Sequence, residues 1–253
     1  MRLGSCFRYR SRVKTEATLR LLHMIPRSQH AQSADESMLR WIRPPRQGRT
    51  RETLGRILEA AEDLFSRKGF DRVSVVEVVR SAGTSIGGFY RRFSSKDDLL
   101  HALHERFCIE AKATAAAVLD PARWQGVSTP AMFQALADFL IDVYRERRGL
   151  FRAFLVRAIT DSETNRRNQD LFDFLATKMA ALLDERRTDL KHPNPELGAR
   201  FMLRVGLGAL NHMIVMPEAV QTTEEKMVRQ ELARVFRGYL GVRPLQMAAR
   251  TAS

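Results

Sequence analysis

Apolar residues recur at intervals of three and four through most of the chain after about residue 50. In the first such segment they are Leu54, Ile57, Leu58, Ala61, Leu64 and Phe65, a spacing that places them on one face of an α-helix. Thr50 is the predicted N-cap of this helix and Gly69 its predicted C′ residue, with Phe70 folding back on the last turn. Strand-like alternation and Gly-Asn hairpin signals do not occur. The pattern therefore predicts an all-α chain.

Two short helices are predicted next, joined by a corner at residues 82–84. Ser74 and Glu77 match the capping box S-x-x-E, which starts a helix by satisfying its first free N–H groups. Gly83 can end that helix in the left-handed conformation, and Ser85 can cap the next one. The apolar positions are Val75, Val78 and Val79 in the first helix and Phe89 and Phe93 in the second. A helix, a glycine turn and a helix with hydroxyls and arginines are typical of a helix-turn-helix; the alternative is an ordinary surface hairpin.

Around this corner the chain resembles the N-terminal domain of TetR-family transcriptional regulators. The similar segments are ILEAAEDLFSRKGF at 57–70 and SVVEVVRSAGTSIGGFYRRFSSKDDLL at 74–100. The family pattern G-x-S-x-G-x-[FL]-Y-x-x-F-x-S-K-[DE]-x-L is matched by Gly83, Ser85, Gly87, Phe89, Tyr90, Phe93, Ser95, Lys96, Asp97 and Leu99. The strong resemblance covers about a fifth of the chain, and beyond Leu103 it is limited to helical layout and length.

The resemblance implies a homodimer that binds a near-palindromic operator in double-stranded DNA. Its predicted phosphate contacts are Thr50, Ser74, Tyr90 and Lys96, and its predicted groove-facing residues are Ser85, Ile86, Gly88, Arg91 and Arg92. Arginine in the groove favours guanine, but the sequence leaves open which of the two arginines points inward. Adjacent glycines are costly inside a helix, so we expect close packing against the turn helix at Gly87 and close approach to DNA at Gly88.

The rest of the chain is predicted to form a helical domain for effector binding and dimerisation. Amphipathic segments run over about 98–119, 128–149, 163–188, 196–216 and 222–240, with a short helix near Phe151, Phe154 and Leu155, and Thr129 is the predicted cap before Pro130. In the family, two long helices from each subunit form the dimer contact; by order and length these are 163–188 and 196–216 here. The predicted effector pocket consists of Phe107, Phe133, Phe139, Phe151, Phe154, Phe172 and Met213. These residues favour an apolar effector, unless they simply fill the core.

The charge and the cysteine content indicate which cellular compartment and which partners are expected. The net charge is +13, and residues 1–50 alone carry ten Arg and one Lys against three acidic residues. Such a basic segment favours phosphate contacts. Two cysteines are too few for a disulfide framework, which predicts a reducing, cytoplasmic location. No stretch reaches the ~18 apolar residues of a membrane span, so no membrane partner is expected.

Four regions are expected along the chain. Residues 1–46 are a basic extension, for which three interpretations remain: a flexible arm along the DNA, a transit peptide, or a translation start downstream at Met24 or Met38. Residues 47–100 form the DNA-binding domain, residues 101–242 the effector-binding and dimerisation domain, and residues 243–253 a disordered tail.

Other chemistry is weakly indicated. His101, His104 and Cys108 could share one helix face for a metal, but the fourth ligand is missing and an ordinary helix is the favoured interpretation. His212 is predicted to lie in the core. We found no phosphate loop, nucleophile elbow or H-E-x-x-H motif. We therefore predict no catalytic residues, metal or cofactor, and a protein that is not an enzyme.

The resulting hypothesis is a transcriptional repressor that an apolar small molecule releases from its operator. The helix near 98–119 would transmit the change, because it joins the two domains. The alternative is a constitutive, ligand-independent DNA-binding or architectural protein. An enclosed apolar cavity of ~300 Å³ or more among residues 102–216 would favour the sensor.

Overall fold

The computed structural model describes residues 48–215 and 222–242. This part of the chain is helical and has no strand, which confirms the predicted all-α class. Its helices are α1 (Gly48–Lys68), α2 (Val75–Ser81), α3 (Ile86–Tyr90), α4 (Lys96–Val118), α5 (Thr129–Glu146), α6 (Arg148–Thr160), α7 (Ser162–Asp184), α8 (Pro195–Val215) and α9 (Thr222–Leu240), with 3-10 turns at Pro121–Trp124 and Arg187–Asp189. The expectations for residues 1–46 and 243–253, and for the side chain of Thr50, lie outside the described residues.

The corners around α2 form as the sequence predicts. Gly69 ends α1 with a φ of 84° and Gly83 follows α2 with a φ of 61°, the left-handed region that glycine adopts without steric cost. The ring of Phe70 folds back on Phe65, with centroids 5.2 Å apart. Both halves of the capping box between Ser74 and Glu77 are present. Local sequence signals therefore determine the path into α3.

Two predicted N-caps are wrong. Helix α1 already begins at Gly48, so Thr50 lies within its first turn, whereas an N-cap residue must have non-helical backbone. At α5 the cap is Ser128, whose hydroxyl accepts a hydrogen bond from the Ala131 amide at 3.4 Å. Thr129 is helical instead, and its hydroxyl hydrogen-bonds the Asp189 carboxylate.

The first hydrophobic cluster crosses the predicted domain boundary at residue 100. It joins buried residues of α1, α2, α3 and the first turns of α4 to Leu150, Phe151 and Phe154 of α6. Glu62 on α1 reinforces this contact, since it accepts from Arg106 of α4 at 2.6 Å and from Arg147 before α6 at 3.0 Å. Helices α1 to α3 are therefore held directly on α4 and α6.

The second hydrophobic cluster lies between the end of α4 and helices α5, α7, α8 and α9. Its buried members include Phe133, Leu182, Met202 and Phe236. His212 is exposed on α8 rather than in the core, because the buried face of that helix is formed by small and aliphatic residues. Across residues 48–215 and 222–242, no helix has both the length and the apolar character needed to cross a bilayer.

Candidate nucleic-acid interface

Helix α3 and the turn after it have one face open to solvent and one face in the core. The side chains of Phe89 and Phe93 are fully buried, whereas Ile86 and Tyr90 are 49% and 48% exposed. The helix is capped by Ser85, whose hydroxyl accepts from the Gly88 amide at 3.0 Å. Within residues 86–93, the exposed residues are Ile86, Gly87, Tyr90 and Arg91, and the buried residues are Gly88, Phe89, Arg92 and Phe93. Pairs one turn apart thus share a face, and the exposed face is available to a partner.

The structure separates the two arginines. Arg92 is buried and its Nη1 donates to the Gly88 carbonyl at 2.7 Å. Burial, with the nearby charges of Arg91 and Arg56, lowers the pKa of Arg92 from its ordinary value. Arg91 is exposed. Sequence reasoning placed both in the groove, but only Arg91 is open to it here, and Arg92 instead supports the backbone of α3.

The two glycines have roles opposite to those expected. A Cβ at Gly87 would meet nothing closer than the Ser85 hydroxyl at 4.0 Å, whereas one at Gly88 would lie 2.6 Å from Oγ1 of Thr84. Gly88 is buried because the side chains that precede α3 fold over it. The prediction of close DNA approach at Gly88 is therefore corrected: Gly87 is the glycine on the open face.

Replacing Gly87 with Ala should stabilise the free protein by about 1 kcal/mol, because Ala is the better helix former and the added Cβ points into open space. The same methyl group should weaken DNA binding if α3 approaches bases closely. Urea denaturation and DNA titration on one preparation measure both effects. A variant that gains stability and binds DNA unchanged would show that nothing approaches this part of α3.

Lys96 stabilises the loop between α1 and α2. Its ammonium group donates to the carbonyls of Phe70 and Val73, both at 3.0 Å, and lies 4.1 Å from the centre of the Phe70 ring. We predicted a phosphate contact for Lys96, but in the structure the ammonium group fixes the loop before α2. Ser74 remains exposed while it caps α2, so its predicted phosphate contact stays a prediction.

Two further side chains position α2. Glu77 accepts from the Ser74 amide and from Lys68, both at 2.9 Å, and these bonds, the Ser74 amide foremost, lower the pKa of Glu77 to about 2. Arg56 donates through Nε to the Ala82 carbonyl at 3.1 Å. Sequence reasoning missed Arg56, because a single arginine on the polar face of an amphipathic helix carries no distinguishing signal.

The seven residues predicted to line one effector pocket do not come together. Phe107, Phe151 and Phe154 belong to the first hydrophobic cluster, with ring centroids of Phe107 at 5.1 Å from Phe151 and 5.7 Å from Phe154. Phe133, Phe139 and Met213 belong to the second cluster. Phe172 is half-buried, and its ring lies 5.0 Å from the guanidinium group of Arg204.

A cavity of about 510 Å³ lies elsewhere, beside the 3-10 turn that follows α4. It is lined by Pro121, Ala122, Gln125, Gly126, Val127, Glu185, Arg186, Thr188 and Asp189. These loop residues include charged side chains and none of the seven predicted pocket residues. The cavity is therefore not the apolar chamber that would identify a sensor of apolar molecules.

The two histidines of α4 contact side chains of α7, and Cys108 contacts His104 on its own helix. The described residues contain no cluster of three potential metal ligands. His104 Nε2 lies 2.9 Å from Asn168 Oδ1 and 3.7 Å from Cys108 Sγ, while His101 Nδ1 lies 3.5 Å from the Thr164 hydroxyl. Burial lowers the pKa of His104 to about 4 and raises the pKa of Cys108 to about 11. This arrangement joins two helices through neutral polar groups.

Two family models match the chain, and together they span both domains. Residues 57–103 match the model described as bacterial regulatory proteins of the tetR family, and residues 128–240 match the tetracyclin repressor-like C-terminal domain. The first match covers the candidate interface, and the second covers helices α5 to α9. Both halves of the fold thus point to the same family.

Individual relatives give the same result. The chain is 46% identical over 50 residues to YvdT and 27% identical over 130 residues to YfiR, both described as uncharacterized HTH-type transcriptional regulators of Bacillus subtilis (strain 168). These matches cover 20% and 51% of this chain but only 26% and 62% of the relatives. A crystal structure described as a TetR-family transcriptional regulator from Mesorhizobium loti MAFF303099 superposes with a TM-score of 0.60 at 20% identity, covering 76% of this chain and 98% of that one. That similarity concerns the fold alone.

Proposed function

Because the chain belongs to the TetR family of transcriptional regulators, we propose that it is a repressor that binds a near-palindromic operator through the exposed face of α3. A DNA-binding regulator, not an enzyme, is what the family membership establishes. The observation that carries the proposal is the division of α3: Ile86, Gly87, Tyr90 and Arg91 face solvent while Phe89 and Phe93 fix the helix in the core. A rigid helix with one face open to solvent is suited to a major groove.

We propose that two copies associate through α8 and α9. Leu197, Phe201 and Val205 on α8 are exposed at intervals of four residues, and Val235 and Tyr239 on α9 are exposed beside them. The rings of Phe201 and Tyr239 lie 5.1 Å apart, so the two helices form one apolar surface. None of the exposed large apolar side chains in the described residues lies on α7. This distribution favours α8 with α9 over the pairing of 163–188 with 196–216 that we predicted.

The proposed switch runs through α4. This helix begins in the DNA-binding domain and contributes to both hydrophobic clusters, so a displacement of α4 would move α3. Phe107, Phe151 and Phe154 pack together at the junction, and an apolar effector that separated these rings would displace α4, provided that the effector binds the two states with different affinity. A ligand-independent regulator is the second candidate. It is favoured by the direct contacts between these rings and by the polar lining of the 510 Å³ cavity.

The experiment is selection of duplexes from a random pool by the purified protein, followed by footprinting. We expect a near-palindromic site whose half-sites lie about 34–36 Å apart, one DNA turn, bound by two chains. Recovery of sequences without a common motif would overturn the proposal. Hydrophobic compounds are then titrated against the complex with the selected duplex. A compound that raises the melting temperature and releases DNA supports the switch, and one that binds without release supports the second candidate.

A further inference from the structure

The open face of α3 carries one aliphatic side chain among polar ones. Ile86 is the first residue of the helix and is 49% exposed, although its four-carbon side chain has no hydrogen-bonding group. Tyr90 lies one turn later on the same row, and Arg91 lies on the adjacent row after Gly87. Tyr90 and Arg91 can form hydrogen bonds with a polar surface, whereas Ile86 can form only apolar contacts.

We propose that Ile86 contacts the C5-methyl group of a thymine, so that each operator half-site has a thymine opposite the start of α3. This inference rests on the DNA-binding function proposed above. In the major groove the base edges expose hydrogen-bond donors, acceptors and the methyl group of thymine. An isoleucine placed against a donor or acceptor would remove it from water without replacing the hydrogen bond, which is unfavourable. The thymine methyl is the groove feature that Ile86 matches.

The surroundings of Ile86 allow this contact. Gly87 adds no side chain, and a Cβ there would have open space around it, so a base can approach the backbone beside Ile86. Ser85 is occupied as the cap of α3, which fixes the direction of the first turn. Phe89 follows three residues later and is fully buried. It therefore prevents a rotation of the helix that would bury Ile86.

The proposal also limits the distance between the two specific contacts. Ile86 and Arg91 are five residues apart, so about 7.5 Å of helix separates them along the axis. Base pairs follow one another every 3.4 Å, so the thymine contacted by Ile86 and a guanine contacted by Arg91 should lie within a few base pairs of each other. Selected half-sites should contain both bases.

The test removes the methyl groups and leaves the base pairing unchanged. The full chain is titrated with its selected duplex and with a duplex of the same sequence in which deoxyuridine replaces thymidine. Wild-type protein should bind the deoxyuridine duplex about fourfold more weakly for each half-site, the factor expected from burying one methyl group. Ile86→Ala should bind the thymidine duplex more weakly than wild type and should not distinguish the two duplexes.

Val76→Ala is the matched control. Val76 is an aliphatic residue on α2 with a similar exposure, 47%, and its replacement should preserve the full preference for thymidine. Melting temperatures of both variants verify folding. Equal wild-type affinity for the two duplexes would overturn the inference, as would an undiminished methyl preference in Ile86→Ala. Failure to select any specific duplex would instead refute the proposed function, so the two failures are distinguishable.

Discussion

Replacing Gly149 with Ala is expected to destabilise the folded protein by about 3 kcal/mol, at the upper end of the usual cost of overpacking. Gly149 lies in the first turn of α6, where a Cβ would be 2.3 Å from the Phe65 carbonyl oxygen and 2.7 Å from the Ser66 carbonyl oxygen. Both atoms belong to the backbone at the end of α1, so neither can rotate away. The overlap can be removed only if α6 moves away from α1. Urea denaturation measures the change in the free energy of unfolding.

Gly87→Ala is the control for this experiment in the absence of DNA. It makes the same chemical change in a helix, but its Cβ enters open space, so it should raise stability by about 1 kcal/mol. Opposite signs for the two variants would establish that the contact between α1 and α6 determines the result. A Gly149→Ala protein as stable as wild type would contradict the close packing of these helices.

The stability of the protein is expected to fall by about 3 kcal/mol as the pH is lowered from 6.5 to 4, owing to His104. The side chain is 1% exposed, and burial holds its pKa at about 4. Its Nδ1 is buried without a hydrogen-bond partner in the described part of the chain, so an added proton would find no acceptor. Between pH 6.5 and 4, His104 is protonated in the unfolded chain but remains neutral in the folded chain. Stability is therefore complete above about pH 6.5 and is lost on acidification.

The measurement is the free energy of unfolding at several pH values for wild type and His104→Gln. The variant has no titrating group at this position, so its stability should depend less steeply on pH within this window. Some dependence should remain, because burial also lowers the pKa of the adjacent His101. His212→Gln is the matched control, since His212 is exposed on α8. Equal slopes for wild type and His104→Gln would contradict the assignment.

Local signals in the sequence predicted the helices well. The capping box at Ser74 and Glu77, the left-handed Gly69 and Gly83, and the cap at Ser85 all occur as expected, because each depends on residues within one or two turns. The error at Thr129 arose because the neighbouring Ser128 can cap the helix equally well, and the error at Thr50 arose because α1 already begins at Gly48. Contacts between distant segments carry no such signal, and the connection from Glu62 to Arg106 and Arg147 could not be foreseen.

The candidate site was predicted by residue type but not by orientation. Periodicity identified α3 and its aromatic positions, yet it could not decide between Arg91 and Arg92, and the roles predicted for Gly87 and Gly88 were the wrong way round. Those choices depend on the angle at which α3 lies against α1 and α2, which the burial of Phe89 and Phe93 determines. The prediction of the effector pocket was wrong for a related reason. Aromatic residues spaced along different helices give no indication of which cluster each will join.

Affinity of Arg91→Ala for the selected duplex tests the central claim, that the exposed face of α3 contacts DNA bases. The variant should fold as wild type, bind about 1–3 kcal/mol more weakly, and lose preference at one position of each half-site. Arg152→Ala removes the same charge from an exposed position on α6 and should retain both affinity and preference. A folded Arg91→Ala protein that binds the duplex with wild-type affinity and sequence preference would contradict the account.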